Sequence, residues 1–138
     1  MAVLYTANVV SVGGREGHIS SSDGVIDMPT QKPAEMGGVG GATNPEQLFA
    51  AAYGACYGGA LLFVAEKQGI EVPEGFKVDA QVSFNVEGAN LFLSAGLSVF
   101  LPGMELAKAE KLAQTAHNVC PYSKAVKGNV EVSLSVLV

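Results

Sequence analysis

A chain of 138 residues, 49% hydrophobic and only 15% charged, is long enough for one domain with its own core and too apolar for extensive disorder. Its net charge of −5, with no cluster of lysine or arginine, argues against nucleic acid as a partner. Two widely separated cysteines are too few for a secreted disulfide scaffold, and residues 1–14 carry neither a basic n-region nor a long apolar block, so a reduced, cytoplasmic protein without a signal peptide is expected.

Residues 2–12, AVLYTANVVSV, are rich in Val, Tyr and Thr and predict a strand. GGREGHISSSDG (13–24) then supplies a glycine-rich turn, a short strand and a second turn. MPTQKPAEMGGVGGAT (28–43) has two prolines, four glycines and no periodicity. It predicts a loop of the length that often binds ligands or forms a lid, although it lacks the Lys-Ser/Thr ending of a phosphate loop. A helix follows: Thr43 or Asn44 can cap it, Pro45 fits its first turn, Glu46 suits its positive end, and Gly69 stops it after Gln68. FKVDAQVSFNVEG (76–88) and NLFLSAGLSVFLP (90–102) predict a hairpin. A second helix is expected over about 104–119, with Leu106, Ala109, Leu112, Ala113, Ala116 and Cys120 as its apolar stripe. Pro121 interrupts it and can open a further short turn, and NVEVSLSVLV (129–138) closes the chain as a strand. The order β, β, loop, α, β, β, α, β predicts a single α+β domain over 1–138, with no internal repeat.

YGACYGG, Tyr53 to Gly59, carries three different meanings. Gly54-Ala55-Cys56-Tyr57-Gly58 imitates the nucleophile elbow G-x-S-x-G, but an elbow follows a strand and this one follows a capped, alanine-rich helix start. The same residues form G-x-x-x-G, and Leu48 to Ala65 has no charge over the threshold length for a membrane span. Half of those positions are alanine or glycine, however, which gain little from lipid, so a central helix approached closely by another backbone, sheet or symmetry-related helix, fits better. Third, Tyr53, Cys56, Tyr57 and Ala60 share one helix face, where Cys56 can be a small core residue. Cys120 has the same plain account. Should the two thiols meet, they form a redox pair, which requires Cα atoms about 4.4–6.8 Å apart, a distance that sequence does not give.

TNPEQLFAAAYGACYGGAL and HNVCPYSKAVKGNVEV, together with GGREGHISSSDG, resemble the organic hydroperoxide resistance proteins of the OsmC-like superfamily over essentially the whole chain. The resemblance implies an OsmC-like α+β fold, antiparallel sheets wrapped around a long buried central helix in an intertwined homodimer. It implies a thiol peroxidase that reduces organic hydroperoxides to alcohols. Cys56 matches the peroxidatic cysteine, Cys120 the resolving one, Arg15 the arginine that activates the thiol and Glu46 the glutamate that holds that arginine. The implied reductant is an external dithiol, dihydrolipoamide or a lipoylated protein, with no bound cofactor and no membrane partner. Lys124 and Lys127 stand where Asn and Arg are more usual in that family.

The chemistry suits these residue types. An ordinary thiol is only a few per cent thiolate at neutral pH, and Cys56 lies too far along its helix to use the positive end. Arg15 is the only arginine in the sequence and offers a permanent charge with several donors. Glu46 precedes Cys56 by about 15 Å of unbroken helix, so either the helix bends near Gly54 or Arg15 and Glu46 of one subunit complete the site of the other. Taken singly, Arg15 could be a solvated turn residue and Glu46 a first-turn acid; His117, three residues before Cys120, could tune that thiol, with a structural hydrogen bond the simpler account. Phe49, Tyr53, Tyr57, Phe84 and Phe92 are candidates for an alkyl pocket, though plain core residues are the simpler expectation, and no C-x-x-C spacing supports a zinc site. A sister OsmC-branch peroxidase and a non-enzymatic binding domain with inert cysteines are the rival functions.

Overall fold

Three short strands build the first of two compact units, residues 1–48, in the computed structural model, which describes residues 1–138. β1 (Val9–Val12), β2 (His18–Ser21) and β3 (Asp27–Pro29) pair antiparallel in that order. The strand expected over 2–12 is confined to Val9–Val12. Only four residues of β2 are available to pair with it, and residues 1–8 run exposed. β3 enters the segment predicted to be loop. Three residues show no periodicity, and Pro29, which lacks an N–H, is tolerated because β3 is an edge strand. A 3-10 turn at Ala34–Met36 and a parallel bridge between Thr30 and Thr43 complete this unit's backbone order.

Helix α1 (Pro45–Gln68) starts in the first unit and runs on through the second, residues 49–138. The expected signals set its ends. Asn44 Oδ1 accepts the Gln47 N–H at 2.9 Å, and Gly69 turns left-handed with φ +66°. The second unit continues with β4 (Lys77–Glu87), β5 (Asn90–Phe100), α2 (Leu106–Val119), α3 (Pro121–Val126) and β6 (Glu131–Leu137). β4 and β5 form the expected hairpin around Gly88 and Ala89, where Gly88 takes φ +60° at the first turn position. β6 lies beside β5 in parallel, because α2 and α3 carry the chain back across the sheet between them. The second sheet is therefore mixed rather than wholly antiparallel.

Helix α1 is long and apolar enough to cross a membrane by length and composition alone. One face of it belongs to the core: Tyr53, Tyr57, Leu61, Val64 and Ala65 pack with Leu97, Val99 and Leu101 and with Ala109, Leu112, Ala113 and Ala116 of α2. A Cβ added at Gly54 would stand 3.3 Å from the Ala80 Cβ, and one at Gly58 would stand 3.9 Å from Phe76 and Val78. The small residues thus admit β4. The other side of α1, Ala51, Ala55, Gly59, Leu62 and Phe63, stays exposed in the single chain. Leu106 departs from the expected apolar stripe: it is 48% exposed at the first position of α2, ahead of the turns that meet the core.

Candidate active site

Arg15 and Glu46 meet within the first unit, although neither residue's neighbours in sequence announce the pairing. Arg15 lies in the turn between β1 and β2, and Glu46 in the first turn of α1. Arg15 donates from both terminal nitrogens, at 2.8 Å to Glu46 Oε2 and 2.7 Å to Glu46 Oε1. This two-point geometry fixes the guanidinium plane as well as its position. The Arg15 hydrogen bond holds the Glu46 carboxyl below the usual carboxylate range, against the opposing effect of partial burial. Glu46 in turn raises Arg15 above the ordinary guanidinium value.

The turn itself is fixed by glycine and threonine. Gly13 and Gly14 have φ +76° and +59°, which favour glycine. A Cβ at Gly17 would lie 1.8 Å from the Val12 carbonyl oxygen, so only glycine fits there. Thr30, only 3% exposed, donates its hydroxyl to the Gly14 carbonyl at 3.0 Å and accepts the Gly17 N–H at 2.9 Å. The Gln31 N–H then donates to the Thr43 carbonyl at 2.9 Å, just ahead of the Asn44 cap of the helix bearing Glu46. Thr30 thus ties together the turn that carries Arg15, a part that sequence analysis missed. Its role depends on backbone atoms distant in the chain, and no motif or spacing marks it.

The two cysteines meet within the second unit. Cys56 stands mid-helix on α1, partly exposed, and Cys120 at the junction of α2 and α3, fully buried. Both are free thiols, and their sulfurs are 3.9 Å apart. The α2–α3 junction exists because Pro121 cannot continue a helix but readily begins one. Burial pushes the Cys56 thiol above its ordinary value, the Tyr122 backbone N–H pulls it down, and the neighbouring Cys120 pushes it up again. Helix α1 runs through Gly54 as one continuous helix of 24 residues, with no interruption between Glu46 and Cys56, and Cys56 lies on no strand-to-helix elbow.

Side-chain hydrogen bonds tie together the three helices that carry or flank the two cysteines. Tyr53 Oη is 2.8 Å from Ser123 Oγ, Ser123 Oγ is 2.8 Å from His117 Nδ1, and the Tyr57 hydroxyl donates to the Ala113 carbonyl at 2.7 Å. Tyr53 and Tyr57 are therefore core residues, as the simpler expectation had it, while Phe92 is 41% exposed. Phe49 packs at the edge of the core, with its ring 6.3 Å from that of Tyr53 and 6.4 Å from that of Tyr122. His18 pairs with Asp27 on the surface of the first sheet. The first unit thus holds a bidentate guanidinium–carboxylate pair and the second a close pair of free thiols, groups of the kinds that stabilise anions and undergo thiol–disulfide exchange.

Comparison with known proteins gives this arrangement a family. The OsmC-like protein family matches residues 38–135. The chain is 45% identical over 136 residues to the organic hydroperoxide resistance protein OhrB of Bacillus subtilis, covering 96% of this chain and 98% of that one. It is 42% identical over 135 residues to the organic hydroperoxide resistance protein of Xanthomonas axonopodis pv. citri, covering 97% and 95%. Among solved structures, an organic hydroperoxide resistance protein OsmC from Legionella pneumophila superposes with a TM-score of 0.93 at 43% identity, covering 99% of this chain and all of that one. The crystal structure of B. subtilis OhrB matches with a TM-score of 0.88 at 43% identity, covering 97% and 99%. Fold, sequence and the shared length agree: the chain belongs to the OsmC-like family, in its organic hydroperoxide resistance branch.

Proposed function

We propose that the protein is a thiol peroxidase that reduces organic hydroperoxides to alcohols in a reduced, cytoplasmic setting. The observation that carries this reading is the pair of free sulfurs 3.9 Å apart, drawn together from distant parts of the chain. The relatives' role in resistance to organic hydroperoxides supplies the substrate class. The Cys56 thiolate attacks the terminal oxygen of the hydroperoxide. The O–O bond breaks, Cys56 becomes a sulfenic acid, and the alkoxide takes a proton to leave as alcohol. The Cys120 thiol then attacks that sulfur, its proton joins the departing hydroxide as water, and a Cys56–Cys120 disulfide forms. An external dithiol of the dihydrolipoyl kind restores both thiols by exchange, and becomes a disulfide itself. Because Cys120 is fully buried and Cys56 is not, the incoming thiolate attacks at Cys56.

A thiol raised by burial needs a nearby cation to become the nucleophile. Arg15, held by Glu46, is the candidate, and a homodimer supplies the means: Arg15 and Glu46 of the partner subunit complete the site around Cys56. Support comes from the unbroken α1, which carries Glu46 and Cys56 about 15 Å apart along its axis, and from the exposed Ala51, Ala55, Gly59, Leu62 and Phe63 stripe, suited to a second copy. The test is turnover of cumene hydroperoxide with dihydrolipoamide as reductant. Stoichiometric alcohol and oxidised lipoamide support the proposal, and thiols that survive equimolar hydroperoxide contradict it in favour of an inert-cysteine domain.

A further inference from the structure

Three side chains from three helices make a continuous hydrogen-bonded chain beside the sulfur pair: Tyr53 of α1, Ser123 of α3 and His117 of α2, with both links at 2.8 Å. Tyr53 lies one helical turn before Cys56, while His117 and Ser123 sit on either side of Cys120. The Ser123–His117 bond spans the α2–α3 junction, and the Tyr53–Ser123 bond ties that junction to α1.

One polarity of this chain satisfies both hydroxyl protons. A fully buried tyrosine hydroxyl must give its proton to an acceptor, and Ser123 Oγ is the one beside it. With His117 neutral and its proton on Nε2, Nδ1 is bare and accepts the Ser123 proton, which gives every hydroxyl in the chain an acceptor. Its surroundings favour that form. His117 borders a cavity of about 510 Å³ with Gln114, Asn118, Ser123, Lys124 and Lys127, and Val130 and Val132 face it from the β6 side. No carboxylate lines that cavity, and burial together with the Lys127 charge holds His117 below the usual imidazole value.

Closing a disulfide would bring the sulfurs from 3.9 Å to about 2.05 Å. Cys56 is fixed by helix on both sides, whereas Cys120 sits at an extended hinge with φ −60° and ψ 123° between two helices. What holds that hinge decides how often the second sulfur faces the first. We propose that His117 is a positioning residue: through Ser123 and Tyr53 it holds the α2–α3 junction so that Cys120 stands opposite Cys56, and its neutral form is the one that favours disulfide closure. This inference rests on the redox role of the thiol pair proposed above.

The test is the equilibrium of the purified protein with reduced and oxidised dithiothreitol, which needs no peroxide, between about pH 5 and 8. His117→Ala is expected to lower the effective concentration of Cys120 toward Cys56 about tenfold, the scale of one lost buried hydrogen bond. After a pulse of hydroperoxide its sulfenic acid should persist correspondingly longer, with the rate of sulfenic acid formation unchanged. His117→Asn, whose amide oxygen can accept from Ser123, should recover most of the loss. The wild type should drift toward the alanine variant as pH falls through the His117 pKa, and the asparagine variant should show no such drift. An alanine variant that closes its disulfide as readily as wild type overturns the inference. So does a variant pair in which both chemical steps slow together and asparagine rescues neither. If the alanine variant does not fold, the asparagine variant and the wild-type pH profile decide. A wild type that forms no Cys56–Cys120 disulfide with either oxidant instead refutes the redox reading itself.

Discussion

The sulfurs of Cys56 and Cys120 lie 3.9 Å apart, although 64 positions separate the two residues in the chain. A mid-helix position and a helix–helix junction make an asymmetric pair, one sulfur partly exposed and one sealed in the core. In the proposed mechanism that asymmetry makes Cys56 the first sulfur to react, which predicts the fate of a chain lacking the second. Cys120→Ser should still consume one equivalent of cumene hydroperoxide, but it should stop at the sulfenic acid, which dimedone traps as an adduct on Cys56. Wild type treated in the same way should carry little label.

The two-point Arg15–Glu46 bond predicts both a mutational and a pH effect. Arg15→Ala should slow peroxide reduction about a hundredfold, the loss expected if the thiol pKa rises by about two units. Glu46→Gln should be milder, since the guanidinium keeps its charge and loses only its anchor. Glu46 has its carboxyl pKa depressed on folding, so the pair's contribution is fully present above the unfolded value of about 4.5 and is lost as pH falls through the lowered folded value. Acid titration of wild type against Glu46→Gln should show this difference vanishing only in that acidic window.

Gly17→Ala tests whether the turn positions the arginine. A methyl group 1.8 Å from the Val12 carbonyl oxygen cannot be accommodated without moving the turn that Thr30 holds. The expected result is a fall in activity comparable to that of Arg15→Ala, with Cys56 and Cys120 still able to form a disulfide under diamide. Retention of full activity would show that the turn does not place the guanidinium.

Subunit sharing of the site predicts complementation. Chains carrying Cys56→Ser, inactive alone, and chains carrying Arg15→Ala, strongly slowed alone, should regain activity when mixed under conditions that exchange subunits. Each such heterodimer would hold one complete site. Inactive heterodimers, verified by mass, would place both pairs of residues in one subunit.

Much of this fold was legible in local chemistry. Asn44, Pro45 and Gly69 delimit α1, Gly88 marks the hairpin, and Pro121 divides α2 from α3. Where pairing partners decide, local patterns failed. Residues 2–8 look like a strand but have no β2 residues left to pair with, and β3 is too short to show a period. The parallel placement of β6 depends on how α2 and α3 cross the sheet, which alternation of side chains does not encode. The site divides along the same line. Cys56 and Cys120 stood out as the only thiols, but their meeting was not derivable from spacing. Arg15 and Glu46, 31 residues apart, were linked only by resemblance to a family. Thr30, and the Tyr53–Ser123–His117 chain, are purely tertiary arrangements with no signature in sequence.

The most direct test of the central claim is the intact mass of the protein, kept non-reduced after one equivalent of cumene hydroperoxide, followed by peptide mapping. The account predicts the loss of two hydrogens, located in a single cross-linked peptide joining Cys56 to Cys120. An unchanged mass, or oxygen added at sulfur with no cross-link between these two residues, would contradict it.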